Sequence, residues 1–158
     1  PFPPRRSSHL MRSKRMQPLA RHAEQVQQQA VQVYVSAQRA VVDAQLQLEQ
    51  LLEYRIEYSS RRTSNGMSIQ QLRDYQHFLS KLNLSIEQAH KQIEFKKQNC
   101  EKQRQAWLKT RARTKALDSV IEKYQQQERI IAARIEQKEQ DEYASRISLR
   151  QQQAKHES

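Results

Sequence analysis

Apolar residues spaced alternately three and four apart run along most of this chain, and the rhythm breaks once, at the only glycine, Gly66. Before it, Met16, Leu19, Ala23, Val26, Ala30, Val33, Ala37, Ala40 and Ala44 follow the pattern, with a phase slip before Leu48, Leu51 and Leu52. After it, Leu72, Tyr75, Leu79, Leu82, Ile86, Ala89 and Ile93 resume the rhythm. Trp107, Thr110, Thr114, Leu117, Ile121, Tyr124, Ile131 and Ile135 then continue it. This spacing gives a helix one apolar stripe suited to a second helix. The expected fold is all-α: two long helices forming an antiparallel coiled-coil hairpin, the second helix longer and overhanging. Two helices enclose almost no interior, so function is expected on the surface and the ends.

Composition supports this fold. Helix-forming residues dominate, proline is confined to positions 1, 3, 4 and 18, and 36% hydrophobic residues with a mean hydropathy of −1.04 suffice for a seam but not for a globular core. No apolar run approaches the roughly 20 residues that cross a bilayer. The basic N-terminus is not followed by the apolar segment of a signal peptide, so a cytoplasmic protein is expected. The single cysteine, Cys100, cannot form an intrachain disulfide and falls on the seam register, where it reads as a small buried thiol.

Residues 1–15 are expected to be a disordered basic tail or a cloning remnant, with Met11 or Met16 as the natural start, and residues 151–158 a disordered C-terminus. Between them, residues 16–150 form the coiled-coil domain: a helix over about 17–60, a turn over about 61–67 and a helix over about 68–150. Pro18 fits the first turn of the first helix, where its missing N–H costs nothing. Asn65-Gly66 supplies residues that tolerate positive φ to end that helix, and Ser68-x-x-Gln71 is a capping-box pattern that starts the next.

At 1.5 Å per residue the two helices span roughly 65 Å and roughly 120 Å. An antiparallel pairing about Gly66 then exhausts the first helix near residue 115 of the second. From there on, Leu117, Val120, Ile121, Tyr124, Ile130, Ile131 and Ile135 carry an apolar stripe that calls for an external partner, a second copy or the N-terminal tail.

Charge is concentrated. Residues 1–21 hold Arg5, Arg6, Arg12, Lys14, Arg15 and Arg21 with no acid, and residues 91–115 hold Lys91, Lys96, Lys97, Lys102, Arg104, Lys109, Arg111, Arg113 and Lys115 against Glu94 and Glu101, in a chain of formal net charge +11. A register in which residue i faces about 130 minus i brings Arg12 to Arg21 beside Lys109 to Lys115. Such a cationic zone steers acidic partners, or is a solvated face. As a nucleic-acid signal it is weak, because only Phe95 and Trp107 interleave with the bases and no recognition motif accompanies them.

Near the loop, Tyr54 and Tyr58 stand one turn apart on the first helix and Phe78 and Leu82 one turn apart on the second. The antiparallel register brings the pairs together. Phe78 lies off the seam, so the cluster reads either as a docking site with aromatic anchors or as a widened seam. Catalytic constellations are absent: there is no glycine-rich phosphate loop, nucleophile elbow or Cys/His cluster. Glu87-x-x-His90 supplies only one quarter of a di-iron helix-bundle site and reads as surface residues. No enzyme activity, cofactor, metal or small-molecule substrate is expected.

The chain resembles the FliJ family of flagellar type III export proteins from about Met16 to Arg150. The resemblance rests on Leu51-Leu52-Glu53-Tyr54-Arg55-Ile56-Glu57-Tyr58, the loop with Gly66, Asp74-Tyr75-Gln76-His77-Phe78 with Ile86-Glu87-Gln88, Trp107, and the terminal run from Glu136 to Arg146. It implies an antiparallel coiled coil similar to the stalk subunit of rotary ATPases, located in the cytoplasm and peripherally on the inner membrane at the flagellar base. Implied partners are the hexameric export ATPase, the cytoplasmic domain of the export-gate membrane protein, and export chaperones. The implied gate surface is Gln47, Leu51, Tyr54, Tyr58, Phe78 and Leu82, followed by Ser85 and Ala89. The ring-binding end is the one carrying both termini, where Arg12, Lys14, Arg15, Arg21, Lys109, Arg111, Arg113 and Lys115 are expected. The alternatives are a basic nucleic-acid-binding coiled coil and a structural spacer.

Overall fold

The computed structural model describes the backbone of residues 6–62 and 66–157 and the side chains of residues 12–61 and 66–157. Two helices, α1 (Arg6–Arg62) and α2 (Ile69–His156), pack against each other as a hairpin. The expected turn residue Asn65 and the first five residues lie outside the described part.

The start of α2 follows the sequence. The Gln71 amide donates to Ser68 Oγ at 3.2 Å and the Ser68 amide donates to Gln71 Oε1 at 3.1 Å, which satisfies two amides that have no intrahelical acceptor. The Leu72 amide then makes the first helical bond to the Ser68 carbonyl at 2.9 Å. Gly66 does not work as expected: its φ is not positive, and a Cβ there would meet nothing within 4 Å.

The start of α1 differs from the expected position near residue 17. The helix begins at Arg6 and runs through Pro18, although an interior proline removes one backbone hydrogen bond and costs about 3 kcal/mol. Tertiary contacts hold the turns upstream of it, as described below. At the other end α2 continues to His156, where Lys155 and His156 complement the exposed carbonyls.

Burial defines the seam. On α1 the less exposed positions include 13, 16, 20, 23, 27, 30, 34, 37, 41, 44, 48, 51, 55 and 58, an unbroken three-four alternation with no phase slip, flanked by the half-buried 17, 31, 40 and 52. The slip read from the sequence came from following Leu19, Val26 and Val33, which are exposed at 51%, 38% and 49%. The seam passes instead through the neighbouring Ala20, Gln27 and Tyr34, of which one is polar and one small. On α2 the alternation also runs unbroken from Leu72 to Ile135, with Lys96, Cys100, Gln103 and Glu128 filling the gaps in the apolar pattern.

The contacts divide into two units, each containing a stretch of both helices: a terminal unit of Pro1–Glu24 with Ala112–Ser158, and a central unit of Gln25–Arg111. In the central unit Ala37, Ala44, Tyr75, Leu82, Ile86 and Ile93 are buried, small residues on α1 accommodating large ones on α2. Tyr34 stacks on Trp107 with ring centroids 5.7 Å apart, and Arg55 Nη1 donates to Asn83 Oδ1 at 3.2 Å.

In the terminal unit the buried residues are Ala23, Ile121 and the polar Ser13. Ser13 Oγ donates to Glu128 Oε2 at 2.9 Å, and the Ser13 amide approaches Glu128 Oε1 at 3.3 Å. The Arg12 guanidinium lies 5.7 Å from the centre of the Tyr124 ring, and Thr114 Oγ1 donates to the Ala23 carbonyl at 3.4 Å. These contacts stabilise the turns that precede Pro18. They also shorten the expected overhang: Leu117, Ile121, Tyr124, Ile131 and Ile135 are buried or half-buried, and continuous exposure begins at residue 136 and lasts to residue 157.

Candidate docking surfaces

Four aromatic rings from the two helices meet in the central unit. Tyr58 on α1 stacks on Tyr75 of α2 with centroids 5.1 Å apart and planes 6° from parallel. Phe78 packs 4.5 Å from Tyr58 and edge-on to Tyr54 at 5.9 Å, while Tyr54 and Tyr58 are 6.4 Å apart. Offset and edge-to-face pairs of this kind each add about 0.5–1.5 kcal/mol beyond the area they bury.

The cluster is graded in depth. Tyr75 is 5% exposed and forms its floor; Tyr58 and Phe78 are half-buried; Tyr54, 45% exposed, is its rim. Tyr75 was legible in the sequence as a seam residue but not as part of the cluster, because only the tertiary pairing sets its ring under Tyr58. The expected gate residues differ likewise in reach. Gln47 is exposed and Leu51 half-buried, whereas Leu82 is 6% exposed and offers a partner little surface. Ser85 is exposed and Ala89 half-buried.

The basic segments are not paired as the sequence suggested. In the terminal unit Thr114 meets Ala23, so Arg113 and Lys115 flank that level of α1, near Arg21. Arg12, Lys14 and Arg15 belong to the level of Tyr124 and Glu128. The expected register, which set Lys115 beside Arg15, is displaced by about two turns, because it centred the pairing near residue 65 whereas Thr114 meets Ala23 and Glu128 meets Ser13. All six of these bases are exposed.

Lys109 and Arg111 belong to the central unit and are also exposed. Arg111 lies 5.8 Å from the centre of the Trp107 ring, a cation–π contact that fixes its direction. Farther along the same unit Lys91, Lys97 and Arg104 are paired with Glu87, Glu94 and Glu101 at 3.7, 3.9 and 3.3 Å. These pairs are exposed, so each contributes little to stability. Glu87 of the Glu-x-x-His pattern is engaged in this way, and the described residues contain no group of three or more His, Cys, Asp or Glu able to hold a metal. No helix among them is long and apolar enough to cross a membrane.

The family model for the flagellar FliJ protein matches residues 12–153, which takes in both units with the aromatic cluster and the basic segments. The chain belongs to the FliJ family. It is 26% identical over 131 residues to the flagellar FliJ protein of Salmonella typhi, an alignment covering 81% of this chain and 89% of that one. No solved structure matches it. Membership places the chain among the components of the flagellar export apparatus.

Proposed function

We propose that this FliJ family member couples the hexameric export ATPase to the cytoplasmic domain of the export gate and hands on export chaperones, acting as a stalk rather than as an enzyme. The observation that carries the reading is the aromatic cluster. Tyr54 and the half-buried Tyr58 and Phe78 leave a cluster of aromatic surface in water, and aromatic anchors ringed by polar residues characterise protein docking sites. In this reading Tyr54, Tyr58 and Phe78 are the anchors, Gln47 and Leu51 contribute to the rim, and Leu82 supports them from the seam.

The exposed bases Arg12, Lys14, Arg15, Arg21, Lys109, Arg111, Arg113 and Lys115 then steer the chain to an acidic ring surface by charge, which raises the association rate more than the final affinity. The test is reversal of Lys109, Arg111 and Arg113 to Glu. The triple variant should bind the export ATPase more weakly and with a flatter salt dependence while remaining helical. Stimulation of the ATPase equal to that of the unaltered chain would leave the bases as a solvated face and remove the ring-binding half of the proposal.

A further inference from the structure

A second row of apolar residues lies on α1 of the central unit, on the side turned away from α2. Val35, Val42, Leu46 and Ile56 are exposed at 43%, 53%, 50% and 68%. Their positions, completed by Arg39, Glu49 and Glu53, keep the same three-four alternation as the buried seam (35, 39, 42, 46, 49, 53, 56) but one or two residues out of phase with it. At roughly 100° per residue, the row sits about a third of a turn or more from Tyr54 and the seam positions Leu51 and Tyr58. It is therefore a separate face from the aromatic cluster.

The charge on the part of this face nearer the loop is opposite to that of the chain: after Arg39 the row carries only the charges of Glu49 and Glu53. Against a formal net charge of +11, residues 43–57 carry Asp43, Glu49, Glu53 and Glu57 with Arg55 as the only base. Arg55 is turned from the row by its hydrogen bond to Asn83 on α2. Glu49 and Glu53 make no ion pair among the described residues, unlike Glu87, Glu94 and Glu101, each of which meets a Lys or Arg on its own helix. Beyond a Debye length of about 8 Å the positive charge elsewhere is screened, so the local acids govern what approaches.

We infer that this outer face of α1 docks a basic amphipathic helix of a partner protein, whose apolar stripe covers Val35, Val42, Leu46 and Ile56 and whose flanking Lys or Arg meet Glu49 and Glu53. Sustained three-four spacing is the geometry that a third helix reads in knobs-into-holes packing. The acids select a cationic helix over a neutral or acidic one, because like charges on the wrong partner penalise its approach.

The test uses the full chain and two synthetic amphipathic peptides with one leucine stripe, one flanked by lysine and the other by glutamate. The lysine peptide should bind, and Val42→Ser with Leu46→Ser should weaken it about tenfold or more. Glu49→Lys with Glu53→Lys should weaken it similarly and confer binding of the glutamate peptide. Because the altered side chains are exposed, helicity and melting should stay unchanged, and Phe78→Ala should leave the lysine peptide bound. The inference is overturned if Val42→Ser with Leu46→Ser binds the lysine peptide as well as the unaltered chain, since the attraction is then charge alone. It is also overturned if the chain by itself forms concentration-dependent oligomers that Glu49→Lys with Glu53→Lys dissolves. In that case the face serves a second copy, met through bases such as Lys81 and Lys102 on α2.

Discussion

The central and terminal units use the same two helices and hold them together differently. In the central unit lie most of the buried apolar side chains, Leu82, Ile86 and Ile93 among them, beside half-buried polar ones such as Gln27, Lys96 and Gln103, and the seam is widened near the loop by the Tyr54, Tyr58, Tyr75 and Phe78 rings. In the terminal unit Ser13, Thr114 and Glu128 occupy seam positions, and the directional contacts there are hydrogen bonds. Apolar burial contributes about 1.5–3 kcal/mol for a fully buried Leu or Ile, whereas a hydrogen bond adds about 0.5–1.5 kcal/mol net. Polar seam positions cost stability but restrict the register, because a shifted pairing would leave Glu128 facing an apolar side chain. The chain thus places most of its buried apolar side chains in the central unit and a buried polar side chain, Ser13, in the terminal one.

This contrast sets the order of expected effects. The largest belongs to the central seam: Leu82→Ala should lower stability by about 2–4 kcal/mol in denaturant melts. Ile121→Ala in the terminal unit should cost clearly less, because fewer buried apolar side chains surround it. Equal losses at the two positions would remove the distinction between the units.

Phe78→Ala comes next. It should reduce affinity for the cytoplasmic part of the gate protein by about 2 kcal/mol or more, measured by calorimetry, with a stability loss clearly smaller than that of Leu82→Ala because Phe78 is half-buried beside the seam. A melting loss as large as that of Leu82→Ala, with binding intact in the folded fraction, would make Phe78 a packing residue.

A smaller and local effect is expected at Ser13→Ala. Losing the Oγ donor to Glu128 should cost about 1 kcal/mol and speed amide hydrogen exchange in the turns before Pro18, leaving exchange around Tyr75 and Ile86 unaltered. Faster exchange throughout both units would mean that they open as one.

The smallest effect concerns Glu101, whose carboxyl is held below the ordinary glutamate range, first by the hydrogen bond from Gln105 Nε2 at 3.0 Å and then by the Arg104 guanidinium at 3.3 Å. A lowered carboxylate pKa means that the unfolded chain binds the proton more readily, so the contribution is present above the ordinary glutamate pKa and is lost as pH falls through the lowered one. Glu101 is exposed, so Glu101→Gln should shift melting at neutral pH by no more than ~1 °C. A larger shift, or one that persists at acidic pH, would point to a structural role that the exposed pairs lack.

Much of this was legible in the residues. Heptad spacing, a single glycine and the Ser68-x-x-Gln71 pattern determined two helices, their antiparallel order and the start of α2, because periodicity and capping are local properties of the chain. The meeting of Tyr54, Tyr58 and Phe78 followed from helical spacing and antiparallel pairing. Only the tertiary structure decided where each helix pair is in register. The apolar pattern passes over Ser13, Gln27, Lys96 and Glu128, and it was drawn to Leu19, Val26 and Val33, one residue from the true seam. Burial depends on what faces a side chain rather than on its own polarity. For the same reason the sequence started α1 near Pro18, where local propensity disfavours helix, while the contacts of Arg12 and Ser13 with Tyr124 and Glu128 hold the turns before it, and with them the covered length of α2.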